Sequence, residues 1–320
     1  MTPTLPPQPV IGILGTGALG GYYGACLVRA GCNVHFLCRS DADHIRRHGL
    51  TVESVGHWKD TLRVPVAATP AELPPLDLAV VAMKTTDNHA LPSLLPRVLK
   101  PSGLVLVLQN GLGVEEQIAA LVGPDRVLGG LCFLCANKTG PGSILHLDYG
   151  RILLGEFRHD RSPGGITPRL QQLAALFQTA GIPIETTPHL RHARWKKLVW
   201  NIPYNGLSVL LRTTTDRIMQ HPPTRALVAD IMHEVLALAA ADQCPIDPSF
   251  VQKMLADTDR MKPYKPSMLL DHERGRPLEI DAIYTQPLNV GAATNTPAPN
   301  IAMIERMLTF TAANNRPTPS

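Results

Sequence analysis

Short, almost unbroken apolar runs recur through the first half of the chain, each ending in glycine or in polar residues. Residues 10–14, 33–38, 76–83, 103–108 and 127–136 have this character. Runs of that length and density predict parallel strands buried on both faces. Helical spacing appears between them, at 18–30, over the stretch that follows Lys84-Thr85-Thr86 to residue 99, and at 167–180. Residues 50–54 and 58–64 alternate around Gly56 as a hairpin does. Residues 143–148, 151–154 and 182–186 read as further strands, with Gly140-Pro141-Gly142 and Gly150 as turns. Beyond Pro188 the strand pattern stops, and 191–211, 225–241, 281–293 and 300–310 carry helical periodicity. The pattern predicts an α/β protein: an N-terminal Rossmann-type doubly wound sheet over residues 1–188, then an all-helical domain over 189–320.

The first apolar run leads into Gly15-Thr16-Gly17-Ala18-Leu19-Gly20, a G-x-G-x-x-G pattern placed between a strand and a helix. That context makes it a dinucleotide-binding signature rather than a chance glycine turn. Gly15 allows the turn, Gly17 lets backbone N–H groups approach a pyrophosphate, and Gly20 lets the helix lie close on the strand. The second strand ends at Arg39-Ser40, where an NAD site places an acidic residue on the ribose. A cation and a hydroxyl there suit a 2′-phosphate, so the expected cofactor is NADPH/NADP. Lys84 and Asn110 follow the next two strands. Both therefore stand at the carboxyl ends where doubly wound sheets bind ligands.

Composition narrows the picture without changing it. The 320 residues are 44% hydrophobic and 18% charged, typical of a globular chain long enough for two domains. The net charge of +4 comes without a long basic run, which argues against a nucleic-acid groove. No apolar run reaches the length of a membrane span. The six cysteines lie mostly in apolar segments, and Cys132-x-x-Cys135 lacks a second ligand pair, so strand is the better reading than metal site. Reduced cysteines and the lack of a signal peptide point to the cytoplasm. Prolines cluster at 2–9 and 314–320, marking both tails as frayed. No nucleic-acid or membrane partner is expected, and a homodimer is compatible with the chain.

Two polar clusters lie in the second half. Lys197, Asn201 and Asn205 are spaced i, i+4, i+8, so one helix face carries a cation and two amides while Leu198, Val199 and Ile202 face elsewhere. Such a stripe is either a set of ligands for a polar acid or a solvated face. Pro203 removes an N–H within that helix and should kink it. Ser267-Met268-Leu269-Leu270-Asp271 and Glu279-Ile280-Asp281 form the second cluster. Ser267 could cap a short helix, and Glu279 and Asp281 could be carboxylates of a helix N-terminus.

Together these motifs resemble the ketopantoate reductase family, the 2-dehydropantoate 2-reductases, along almost the whole chain. Lys197-Leu198-Val199-Trp200-Asn201 with Asn205 is similar to the family's catalytic-lysine helix, and the two later clusters to its substrate-serine and catalytic-glutamate segments. The resemblance implies NADPH-dependent reduction of 2-dehydropantoate to (R)-pantoate on the way to pantothenate and coenzyme A, in a cleft between the two domains. It implies Lys197 as general acid and Glu279 as a second catalytic group that also helps to hold the cofactor. Asn110, Asn201, Asn205 and Ser267 would bind substrate. Gly15, Thr16, Gly17, Ala18, Leu19, Gly20, Arg39, Lys84 and Asn110 would hold the cofactor. The chemistry suits the residue types, since hydride arriving at a ketone builds negative charge on oxygen that an ammonium stabilises and then protonates.

The chain departs from the family in one place. Where the family carries a further asparagine after the Asn205 position, it reads Leu211-Arg212-Thr213-Thr214-Thr215. Thr215 then becomes a candidate contact for a different or larger substrate, and Arg212 a candidate carboxylate anchor. Two alternatives stay open: a reductase of another 2-keto acid, and a non-catalytic NADP-binding sensor, which would need neither Lys197 nor Glu279.

Overall fold

In a computed structural model that describes residues 3–314, the apolar run Val10–Leu14 forms β1, buried beyond its first residue. Ala18–Arg29 follows as α1 and Asn33–Leu37 as β2. Next come α2 (Ala42–His48), β3 (Leu50–Ser54), β4 (Trp58–Leu62), β5 (Val66–Ala67), β6 (Leu76–Val81) and α3 (Leu91–Val98). The series continues with β7 (Leu99–Val107), α4 (Val114–Val122), β8 (Val127–Gly140), β9 (Ser143–Glu156), α5 (Pro168–Thr179) and β10 (Ile184–Thr187). Chain contacts divide the protein into two compact units: Met1–Gln109 with Val114–Leu190, and Asn110–Gly113 with Arg191–Ser320. The first runs two residues past the expected cut at 188, and the second reaches back to claim four residues at the end of a strand.

The sheet unit has the strand order β4-β3-β9-β8-β7-β6-β1-β2-β5, with β10 also paired to β9. From β8 to β5 every pair is parallel, as the apolar runs predict. Beyond β8 the sheet is mixed, because β9 returns antiparallel to β8 and carries β3 and β10 parallel to itself. The expected break at Gly150 does not separate two strands. Tyr149 and Gly150 do take positive φ, 62° and 128°, but the ladder absorbs them as a bulge within one 14-residue strand. The hairpin β3–β4 forms as expected around Gly56, with Leu50 opposite Leu62. Cys132 and Cys135 lie in β8, neither in a disulfide, and among the described residues no group of three or more His, Cys, Asp or Glu could hold a metal. The N-terminal tail is not frayed at Leu5, which is buried and exchanges two hydrogen bonds with the Gln172 side chain (3.1 and 2.7 Å). Residues 1–2 and 315–320 lie outside the described residues.

The helical unit is built on α6 (Leu190–Leu211), whose Trp195, Leu198, Val199, Ile202, Tyr204 and Leu207 enter its core. Around it lie α7 (Thr215–Gln220), α8 (Pro222–Ala241), α9 (Ser249–Asp259) and α10 (Ser267–Glu273). A turn of π-helix, Asp281–Thr285, runs directly into α11 (Gln286–Thr294), and α12 (Pro299–Asn314) closes the unit. Ile231, Met232 and Val235 of α8 and Ile301, Ile304 and Leu308 of α12 complete the core at helical spacing. Pro203 sits inside α6 without ending it. No helix among the described residues is long and apolar enough to cross a membrane.

Candidate functional site

In the glycine loop, Gly15 has φ 104°, and a Cβ there would lie 2.6 Å from Met83 N. A Cβ on Gly20 would lie 2.1 Å from Gly15 O, so this glycine fixes how closely α1 approaches the loop. Gly17 differs: a Cβ there would meet no protein atom within 4 Å. Gly17 is also the N-cap of α1, whose first turn carries no capping side chain and no acidic residue. Open space at Gly17, at the N-terminus of α1, fits a pyrophosphate. Thr16 is buried, and its hydroxyl donates to Leu37 O (3.2 Å) beside the Gly15 N–H on the same carbonyl (3.3 Å). Its side chain thus ties the loop to the end of β2 and leaves only its backbone to face a ligand.

The residues after β2 separate in role. Arg39 projects into solvent, its side chain 86% exposed, with Asp87 as a loose partner at 3.8 Å. Ser40 instead donates to Asp41 (2.8 Å), so its hydroxyl proton is committed. Asp41 is buried, pairs with Lys138 (2.5 Å) and accepts from Gly142 N (2.8 Å). These partners hold its carboxyl below the ordinary range, although burial opposes them. The loop that presents Arg39 is therefore anchored from beneath. Lys84 caps the 3-10 turn Thr85–Ala90 after β6 and is half-buried. Gln109, to which the sequence analysis gave no role, is buried at the end of β7. It donates to Met83 O (2.9 Å) and Asn88 Oδ1 (2.6 Å), fastening two successive strand ends together.

Asn110 follows Gln109 in sequence but groups with the helical unit. Leu112 N donates to Ala282 O (2.8 Å), and Gly111, at φ 99°, lies so close that a Cβ would stand 2.5 Å from Ala282 Cβ. Ala282 lies in the π-turn, whose wider winding changes which carbonyls find partners within the helix. Glu279, just ahead of that turn, is buried. Tyr284, inside it, is fully buried and donates to Ile202 O of α6 (2.8 Å). The π-turn thus links Asn110, Glu279 and the middle of α6.

On α6 the stripe is interior rather than solvated: Asn201 is 7% exposed, Asn205 3%, and Lys197 half-buried. Lys196 turns away from it, placing Nζ 5.6 Å from the Phe250 ring centroid. The side chains of Asn110, Asn201 and Ser267 make no hydrogen bond among the described residues. Asn205 does, donating to Asn201 O (3.0 Å) and accepting from Met268 N (3.2 Å). Thr215 is 1% exposed, and both its N–H and its hydroxyl donate to Tyr264 O (3.1 and 3.4 Å). Arg212 is exposed at the end of α6. The helical unit therefore gathers a cation, a carboxylate, two unengaged amides and an unengaged hydroxyl within one fold unit.

Residues 11–159 match the ketopantoate reductase PanE/ApbA family model, and residues 189–312 match the model of that family's C-terminal region. The chain belongs to the ketopantoate reductase family. A 2-dehydropantoate 2-reductase from a Nostoc species is 51% identical over 95% of both sequences. The crystal structure of a 2-dehydropantoate 2-reductase from Geobacter metallireducens superposes with a TM-score of 0.89 at 44% identity, covering 94% of this chain and 99% of that one. One from Methylococcus capsulatus gives 0.86 at 33%, covering 96% and 98%. The protein is thus an enzyme of a nicotinamide-dependent oxidoreductase family. The sensor alternative is set aside.

Proposed function

We propose that this ketopantoate reductase family enzyme uses NADPH to reduce the 2-keto group of 2-dehydropantoate to (R)-pantoate. The observation that carries the reading is the α6 stripe of half-buried Lys197 and buried Asn201, in the same unit as Ser267, Glu279 and Asn110. A buried amide with no hydrogen bond among the described residues, as at Asn201, is costly unless a ligand serves it. The cofactor, when bound, supplies the hydride. Gly15, Gly17, Gly20 and the first turn of α1 would hold its pyrophosphate, with Arg39 on the 2′-phosphate and Lys84 nearby.

Lys197 Nζ stabilises the negative charge that develops on the keto oxygen and donates the proton that completes the alcohol. The Asn201 amide and the Ser267 hydroxyl bind the polar groups of the acid, Asn110 orients the reacting end, and Glu279 completes the ternary complex. Thr215 leaves the substrate as the family has it, because its polar atoms are turned to Tyr264. Six cysteines, none in a disulfide among the described residues, suit a reducing, cytoplasmic setting. The exposed Met303, Met307 and Phe310, at helical spacing on α12, suit self-association into a homodimer.

The reading is tested by following NADPH oxidation over a panel of 2-keto acids. 2-Dehydropantoate is expected to show the highest kcat/KM. Efficient reduction of another member, with 2-dehydropantoate inert, would overturn the substrate assignment and leave the chemistry standing.

A further inference from the structure

One carboxylate of the sheet unit lies where a 2′-phosphate would least tolerate it. Asp41 comes two residues after Arg39, so their Cα atoms are at most about 7 Å apart. An acidic residue just past β2 suits an NAD site, where it accepts from the ribose 2′-hydroxyl, and it repels a phosphate at that position. Asp41 is ionised at neutral pH. Burial works against its charge, yet Lys138, the Gly142 N–H and the Ser40 hydroxyl hold its carboxyl below the ordinary range.

Each carboxylate oxygen has a partner. Oδ1 accepts from Ser40 Oγ (2.8 Å), and Oδ2 from Lys138 Nζ (2.5 Å) and Gly142 N (2.8 Å). The last two donors come from one place, the tip of the β8–β9 hairpin. β8 runs on to Gly140 beyond its last pairing with β7 at Gly129, and Lys138 pairs with Ile144 across the hairpin. The tip packs on two helices. A Cβ on Gly21 of α1 would stand 2.8 Å from Ile144, and one on Gly142 would stand 2.9 Å from His44 of α2. Thr51 N donates to Gly142 O (2.8 Å) and steadies the turn. Lys138 is thus delivered from a distant part of the sheet to the loop after β2. Arg39 projects into solvent, whereas the Lys138 ammonium is spent on Asp41.

We infer that Lys138 sets cofactor specificity through Asp41: it neutralises a carboxylate that would otherwise repel the 2′-phosphate bound by Arg39. The inference rests on the proposed NADPH site at Arg39. It differs from a purely structural ion pair in what its loss does. Loss of a structural tie displaces the loop after β2 and weakens both nicotinamide cofactors alike. Loss of a charge shield is felt by NADPH alone, since NADH carries a neutral hydroxyl at that position. Removing the carboxylate together with the cation then undoes the harm, which a missing tie does not allow.

The test titrates NADPH and NADH separately into the parent, Lys138→Met, Asp41→Asn and the Asp41→Asn/Lys138→Met double variant, with thermal melts alongside. Titrations at about pH 8 and low salt keep Asp41 ionised and its field unscreened. Lys138→Met is expected to raise the Kd for NADPH about tenfold and that for NADH less than about twofold. Its Tm should fall, because a buried carboxylate has lost its cation. In the double variant the Kd for NADPH should return to within about threefold of the parent, the mark of two residues acting as one unit. Asp41→Asn alone should leave both constants within about threefold. Equal weakening of both cofactors by Lys138→Met, or a double variant that binds NADPH no better than Lys138→Met, overturns the inference. Should Lys138→Met fail to fold, Lys138→Gln takes its place with the same outcomes, since it keeps a hydrogen bond to Asp41 without the charge. A parent enzyme that binds NADH as tightly as NADPH overturns the cofactor reading of the proposed function, and this inference with it.

Discussion

Around Gly15–Gly20 the sheet unit offers a ligand almost no side-chain chemistry. Thr16 turns its hydroxyl to Leu37, Gly15 and Gly20 are pressed against backbone, and only the space over Gly17 is open. In the helical unit the reverse holds: α6 sends Trp195, Leu198, Val199 and Ile202 into the core, and its polar stripe of half-buried Lys197 with buried Asn201 and Asn205 offers a cation and amides. Recognition through backbone tolerates no added atom but is indifferent to most chemistry. Recognition through side chains tolerates reshaping but not a change of functional group. The two regions should therefore fail in different ways.

Lys197→Ala should give the largest effect, lowering kcat by roughly two to four orders of magnitude with NADPH affinity nearly unchanged. Lys196→Ala, whose ammonium lies by Phe250, should leave steady-state kinetics close to the parent. Equal damage from both would break the side-chain half of the comparison. Gly20→Ala comes next. Its Cβ would stand 2.1 Å from Gly15 O, and overpacking of this kind typically costs about 1–3 kcal/mol. A calorimetric melt should show a lower Tm, and a titration weaker NADPH binding. Gly17→Ala should separate the two readouts, with Tm lowered by no more than an alanine N-cap costs, about 1 kcal/mol, because the added methyl meets no protein atom, and NADPH binding weakened. A drop in Tm as large as that of Gly20→Ala would show that the open space serves the fold.

Arg39→Asp probes the one place where the sheet unit relies on a side chain. Loss of a hydrogen bond to a charged group is worth about 1.5–3 kcal/mol, so the NADPH-over-NADH preference should shrink by roughly ten- to hundredfold. Comparable use of NADH by the parent enzyme would contradict the role given to Arg39.

The smallest effect concerns His146, buried in the sheet unit, where Ser54 Oγ lies 2.8 Å from Nδ1 and the carbonyls of Asp148 and Tyr149 lie 3.1 and 3.0 Å from Nε2. Burial pushes its pKa below the ordinary histidine value, against the pull of those carbonyls and of Asp148, with His57 adding to the downward push. Neutral His146 therefore stabilises the fold above the unfolded-state pKa of about 6.5, and that contribution is lost as pH falls below it. Melts of His146→Gln between pH 7 and pH 5 should show a shallower decline in Tm than the parent.

What the sequence made legible follows the same division. The glycine loop could be read because backbone constraints force residue identity, and the α6 stripe because spacing of four on a helix survives folding unchanged. The β8–β9 pairing could not, since a positive-φ glycine such as Gly150 serves a turn and a bulge equally well. Nor could the bond from Met268 N to Asn205, or the docking of Gly111 on Ala282, because both join residues with no local relation. The π-turn is invisible to a period of 3.6 because it inserts a residue into that period. The bond from Thr215 to Tyr264 was hidden for a related reason, since its partner lies on a later segment.

The bond from Leu112 N to Ala282 O has a consequence in time. A chain made from its N-terminus folds in the order in which its parts emerge. Strands β1 to β10 can pair before α8 exists, yet the Asn110–Gly113 segment has no seat until residue 282 has been synthesised. A nascent chain released just short of that point would carry a finished glycine loop and Lys197, with that segment still waiting for its anchor.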